Sequence, residues 1–251
     1  MRLIVVNPNT TASMTAKIGA AARAVAAAGT TIDAVNPADG PPSIEGYYDE
    51  AYAVPGLLAC IARGEAEVPP PAGYAIACFD DTGLDAARAL ARAPVVGIGE
   101  AAFHLASLVA GRFSVVTTLA RSIPAIEHNL ARYGLATRCA RVRAAEVPVL
   151  SLEEPGSPAR ARISAEIAAA LREDRCEAIV LGCAGMADLA ASLAREHGVP
   201  VVDGVAAAVK LLESLAALGL ATSKVGGYAA PLQKAYSGSL APFAPPAPRN
   251  E

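Results

Sequence analysis

Tryptophan is absent from this chain and aromatic residues amount to 4% of it, so any core must be built mainly from aliphatic side chains. No segment reaches the roughly 18 uninterrupted apolar residues that a helix needs to cross a bilayer, so no membrane span is expected. There is no run of Lys and Arg, and 21 basic against 24 acidic residues leave a net charge of −3. Nucleic acid is therefore not an expected partner, because phosphate binding needs clustered cations. The start, MRLIVVNPNT, offers five apolar residues at most before Asn-Pro-Asn, too few for the apolar segment of a secretion signal.

Missing motifs narrow the field further. No GxGxxG or GxxxxGKS/T follows a strand-like run, which removes the usual signal for dinucleotide or nucleoside-triphosphate binding. No GxSxG elbow is present, which disfavours a Ser-His-Asp hydrolase. Five cysteines, an odd number without CxxC spacing, argue against a disulfide framework or a thiolate zinc site. The three histidines, His104, His128 and His197, fall on three separate helical stretches without ligand spacing, so no metal is expected. These features describe a cytoplasmic protein with free thiols.

What is present is a foldable chain. At 53% hydrophobic and 18% charged it can bury a substantial core, and its 251 residues suit one or two domains. Short Val/Ile-rich runs alternate with longer Ala/Leu-rich stretches of helical period, the α/β pattern of strands buried on both faces of a mainly parallel sheet. Strands are predicted near 2–7, 31–35, 73–78, 94–98, 112–117, 137–142, 176–182 and 200–202. Helices are predicted near 11–28, 49–64, 83–92, 100–110, 122–133, 158–173, 185–197 and 204–219.

The chain echoes itself. Arg2-Leu-Ile-Val-Val-Asn7 is answered by Arg112-Phe-Ser-Val-Val-Thr117, Ala75-Ile-Ala-Cys78 by Ala178-Ile-Val-Leu-Gly-Cys183, and Ala93-Pro-Val-Val-Gly97 by Val199-Pro-Val-Val-Asp203. Three matches in order, at offsets of 105 to 110 residues, imply duplication. Two pseudo-symmetric Rossmann-like halves facing a central cleft are expected, the first from 1–98 plus 221–251 and the second from 99–220. The Pro-rich stretch 241–248 reads as an extended tail. The Gly/Pro-dense stretch 37–48 reads either as a lid over the cleft or as an ordinary surface loop.

Open α/β sheets bind ligands at the carboxyl ends of their strands. Four loops fall there: Asn7-Pro8-Asn9-Thr10, Cys78 to Gly83, Thr117-Thr118, and Gly182-Cys183-Ala184-Gly185. Each ends a strand and opens a helix, so free backbone N–H groups and the positive dipole end are expected to bind an anion and to lower a thiol pKa. Cys60, Cys139 and Cys176 read as small buried hydrophobes. Cys78 and Cys183 differ, because they occupy equivalent places in the two halves. One thiolate could remove a proton from a carbon while the other thiol returns one to the opposite face, which interconverts enantiomers without a cofactor. Loop N–H groups could stabilise the developing oxyanion. Asp80, Asp81, Thr10 and Thr11 are expected mainly to cap the helices that follow them.

The AIACFDDTGL and AIVLGCAGM segments, with NPNT and VTTL, resemble the aspartate/glutamate/hydantoin racemase superfamily along essentially the whole chain. Within it, NPNT, SIEGYYDE and LGCAGMADL look most like hydantoin racemases and the similar allantoin racemases. The resemblance implies Cys78 and Cys183 as acid/base residues and substrate contacts from Pro8, Asn9, Ile44, Thr117, Thr118, Gly182 and Gly185. It also implies a homo-oligomer. Amino-acid racemases of the superfamily carry polar pairs after each cysteine, where this chain has Phe79-Asp80 and Ala184-Gly185, and Asn9 replaces their acidic residue. Those changes remove groups that would hold an ammonium and a carboxylate, so a neutral hydantoin ring is the expected substrate, with Phe79 and Ala184 beside it. The alternatives are a superfamily decarboxylase or isomerase acting on a malonate or dicarboxylate, or a non-catalytic binding protein.

Overall fold

The computed structural model describes residues 1–245. Strands β1 (Arg2–Val6), β2 (Thr31–Val35), β3 (Gly73–Ile76) and β4 (Val95–Gly97) form one sheet in the order β2-β1-β3-β4. Strands β5 (Phe113–Thr117), β6 (Cys139–Ala144), β7 (Ala178–Gly182) and β8 (Val201–Asp203) form a second in the equivalent order β6-β5-β7-β8. Every pairing is parallel. The duplicated sequence is thus a duplicated topology, an α/β fold of two pseudo-symmetric halves.

The helices are α1 (Ala12–Val25), α2 (Tyr47–Ala66), α3 (Leu84–Leu90), α4 (Ile98–Val109), α5 (Ile123–Arg132), α6 (Ala159–Glu173), α7 (Ala190–His197) and α8 (Gly204–Ala217). Strand side chains alternate between faces. Leu3 and Val5 point into a core that also holds Phe103, Phe113, Val180, Val205 and Leu212, so a single apolar cluster runs through both halves. Ile4 and Val6 point the other way, onto Leu57, Ile61 and Leu84 of the first half's outer helices. Val116, Ile179 and Leu181 do the same on Ile163, Ile167 and Leu193 in the second half. Two helices make the shared core. After β4 the chain crosses to lay α4 against β7, and after β8 it crosses back to lay α8 against β3 and β4. Residues without a side chain allow these approaches: a Cβ at Gly73 would lie 2.8 Å from Leu212, and one at Gly204 would lie 2.5 Å from the Ile98 carbonyl.

Several boundaries differ from expectation. The strand predicted over 73–78 ends at Ile76, so Cys78 stands clear of the sheet. The strand predicted over 137–142 is displaced to Cys139–Ala144, because the Arg138 and Cys139 N–H groups turn back onto the Leu135 carbonyl. The helix predicted over 185–197 is a 3₁₀ segment, Ala184–Leu189, followed by α7. Beyond α8 the chain returns to the first half, where Thr222 bonds the Arg92 and Ala93 carbonyls and the Lys224 ammonium caps Arg88 and Ala89. In the stretch 241–248 the chain is in a 3₁₀ turn, Gly238–Phe243, and residues 246–248 lie outside the described residues. Among the described residues no helix is long and apolar enough to cross a membrane.

Candidate active site

The strand-end loops of the two halves meet around one cavity of about 410 Å³, its mouth included. Pro8, Asn9, Ile44, Cys78, Phe79, Thr117, Thr118, Gly182, Cys183 and Ala184 all line it. Gly185 does not, but its N–H donates to the Cys183 sulfur. Asn7, Met14, Ala77, Asp80, Ser122 and Val149 also line the cavity without having been singled out as contacts. Asn7 could have been found from the NPN motif and Asp80 from its place beside Cys78. Met14, Ser122 and Val149 carry no local signal, since only the fold turns them toward the cleft.

After β1 the two asparagines fix the first wall. The Asn7 amide donates to Asn9 Oδ1 (2.9 Å) and Thr15 Oγ1 (3.0 Å), and Asn9 Oδ1 also accepts the Thr11 N–H (2.9 Å). The Asn9 Nδ2 group faces the Met14 sulfur at 3.3 Å. Thr10 and Thr11 do not cap α1 as expected. The Thr10 N–H donates to the Pro41 carbonyl and the Thr11 hydroxyl to that of Pro42, which ties the NPNT loop to the stretch 37–48. That stretch brings Ile44 to the cavity and passes Glu45 to the second half, where its carboxylate accepts the Val149 N–H at 2.8 Å. Opposite, Thr117 Oγ1 donates to the Gly182 carbonyl at 2.9 Å, and a Cβ at Gly182 would lie 2.8 Å from that of Thr117. Phe79 is buried edge-on against Phe103, with ring centroids 5.3 Å apart.

The two thiols are held alike. Each receives a backbone N–H from the residue two positions on, Asp80 for Cys78 and Gly185 for Cys183. Thr82 adds a hydroxyl 3.3 Å from the Cys78 sulfur. The expected lowering of the thiol pKa is overturned. Burial pushes Cys78 well above the ordinary thiol value, with the charge of Asp80 adding to it and the Thr82 hydroxyl opposing. Burial also pushes Cys183 up to about 12, against the Gly185 N–H. Taking a thiolate out of water costs more than a few donors return.

The acidic pair after Cys78 separates into two roles. Asp81, at a left-handed φ of 51°, caps α4 rather than the helix that follows it. Its oxygens accept the N–H groups of Gly99 (2.9 Å) and Glu100 (2.8 Å) and the Tyr133 hydroxyl (2.7 Å). Asp80 borders the cavity, its carbonyl held by the Asn129 amide at 2.8 Å. Its carboxyl is pushed up to about 7, first by burial and then by the charges of Glu50 and Asp81. Cys60, Cys139 and Cys176 lie elsewhere, and all five cysteines are unpaired.

Comparison with known proteins identifies the family of the chain. The family model described as Asp/Glu/Hydantoin racemase matches residues 3–212. A hydantoin racemase of Rhizobium meliloti is 51% identical over 238 residues, covering 95% of this chain and 98% of its own. The structure of an allantoin racemase from Klebsiella pneumoniae superposes with a TM-score of 0.94 at 52% identity, covering 98% of this chain and 99% of its own. A second allantoin racemase structure, from Pseudomonas fluorescens, gives 0.90 at 44% identity over 95% of this chain and 100% of its own. With residues 3–212 matched by the family model and nearly the full length matched by a relative at 51% identity, the chain belongs to the Asp/Glu/hydantoin racemase family.

Proposed function

We propose that the protein is a cofactor-independent racemase of 5-substituted hydantoins that passes the C5 proton between Cys78 and Cys183. One observation carries this reading: two thiols from equivalent loops of the two halves border a single cavity, each with a backbone N–H from two residues on. The names of the similar racemases support the substrate class.

The chemistry follows from the substrate. Loss of the C5 proton leaves an enolate conjugated with the ring, so a sulfur base suffices. One thiolate takes the proton from its face, and the opposite thiol supplies a proton to the other face. The acceptor then becomes the next donor, so the enzyme runs in both directions. A sulfur whose proton affinity burial has raised is a strong base once ionised and holds its proton at rest, which suits alternating roles. The lining holds no Lys, Arg or His, so it offers no cation for a substrate carboxylate and suits a ring of amide groups better than a zwitterionic amino acid. Five unpaired thiols suit a reducing, cytoplasmic compartment.

The test follows optical rotation and C5 deuterium incorporation of enantiopure hydantoins in D₂O. Wild type is expected to bring rotation to zero. Cys78→Ser and Cys183→Ser are each expected to lose racemisation by about 10²–10⁴-fold, with exchange surviving on one enantiomer only. Racemisation at the wild-type rate in either variant would overturn the two-thiol reading.

A further inference from the structure

A second cavity of about 590 Å³, mouth included, lies beside the first and shares one wall residue with it, Asp80. It is walled by the first turn of α2, by the loop after Cys78 and by α5 of the second half, so it too sits between the halves. Most of its polar groups are already engaged. Asp81 is spent on the cap of α4 and on Tyr133, Asp85 on Arg132 and Tyr228, and the Asn129 amide on the Asp80 carbonyl.

Two carboxyls of its lining remain. Glu50 Oε1 is fully buried and has no hydrogen-bond partner among the described residues. The Asp80 carboxyl makes no hydrogen bond among them either, although it borders both cavities. An orphaned buried acceptor such as Glu50 Oε1 costs stability unless something donates to it. Burial raises the proton affinity of both carboxyls, and the charge of Glu50 adds to it at Asp80, which N–H donors or a positive charge would relieve.

Resting on the racemase reading above, we propose that this second cavity receives the C5 substituent, and that Glu50 and Asp80 select substituents ending in N–H donors over alkyl and aryl ones. A ring held with its faces toward the two thiols must send its remaining C5 substituent sideways, and Asp80 is the wall residue the two cavities share. Inversion exchanges the proton between the faces while the substituent swings only across the ring plane, so one subsite serves both enantiomers. Ureido, guanidino and ammonium groups carry the required donors, whereas isobutyl and benzyl leave both acceptors unpaired.

The test compares kcat/KM for allantoin, whose C5 group is ureido, 5-(4-aminobutyl)hydantoin and 5-isobutylhydantoin in wild type, Glu50→Gln and Glu50→Leu. Each ratio is taken on one preparation, so the fraction folded cancels. Wild type is expected to favour the two N–H-bearing substrates over isobutyl by about tenfold or more, the worth of a hydrogen bond to a charged group. Glu50→Gln is expected to reduce the aminobutyl preference about tenfold and the ureido preference less, because its amide oxygen still accepts. Glu50→Leu is expected to turn the preference toward isobutyl. Equal use of all three substrates by wild type, or a preference that survives in Glu50→Leu, would overturn the subsite while leaving the racemase reading standing. No racemisation of any hydantoin by wild type would remove that reading and the subsite with it.

Discussion

The two halves build the same helix start in two ways. In the second half, Asp203 at the end of β8 accepts the N–H groups of Val205 (3.0 Å) and Ala206 (2.8 Å) and so caps α8 from its own strand. The matching position in the first half is Gly97, which has no side chain to give. The carboxylate there comes from Asp81, three residues past Cys78, and it takes the N–H groups of Gly99 and Glu100 at the equivalent places. Gly97 makes the room, since a Cβ on it would lie 2.1 Å from Asp81 Oδ1.

The difference shows what duplication left free to diverge. In the first half the thiol-bearing loop is also the structural cap, anchored to α4 and through Tyr133 to the end of α5. In the second half the cap is local, and the loop after Cys183 runs on as a 3₁₀ segment. Two thiols that are equivalent in topology are therefore unequal in support, with a hydroxyl donor on Cys78 alone.

The sharpest way to break this comparison is to fill the space at Gly97. In Gly97→Ala the new methyl must displace the Asp81 carboxylate, with an expected cost of about 3 kcal/mol. A marked fall in Tm and a loss of turnover together are expected. An unchanged Tm would show that α4 does not depend on the borrowed cap.

A smaller effect should separate the thiols. Proton abstraction needs an ionised sulfur, so exchange on both enantiomers is expected to rise with pH through the alkaline range and to fall as pH drops. Thr82→Val removes the donor from Cys78 alone. Exchange on one enantiomer should slow about tenfold, the worth of a hydrogen bond to a charged group, and its profile should move to higher pH. Equal slowing of both enantiomers would contradict the inequality.

The smallest expected effect is in stability against pH. Both capping carboxyls are raised from the ordinary 3.8, chiefly by burial, Asp81 to about 7 and Asp203 to about 6. A raised carboxyl pKa means the folded state holds the proton more tightly. The stability it contributes is therefore fully present below the unfolded value and lost as pH rises through the folded one. Asp81→Asn is expected to flatten the decline in Tm from about pH 4 to 7, and Asp203→Asn that from about pH 4 to 6. Superimposable Tm profiles for the two variants would remove the distinction.

The strands, the parallel architecture and the duplication were legible because buried parallel strands need apolar side chains on both faces, and such runs survive in the sequence as Leu3–Val6 and Ala178–Leu181. The cysteine pair was legible from its spacing against those runs. What could not be read is which element each loop serves. Asp81 looks like a cap for the helix beside it and caps α4 instead. Thr11 looks like a cap and ties down the stretch 37–48. Met14 and Val149, far apart in the chain, share a cavity with the thiols.

By itself, then, the sequence determined the α/β layering and the equivalent placing of Cys78 and Cys183, because both follow from local periodicity repeated along the chain. Only the tertiary structure decided the proton affinity of those thiols, the partner of Asp81 and the orphaned acceptor on Glu50. The cavity that buries the thiols is walled by both halves, the partners of Asp81 come from Gly99, Glu100 and Tyr133, and local sequence carries no record of which distant group will close over a given atom.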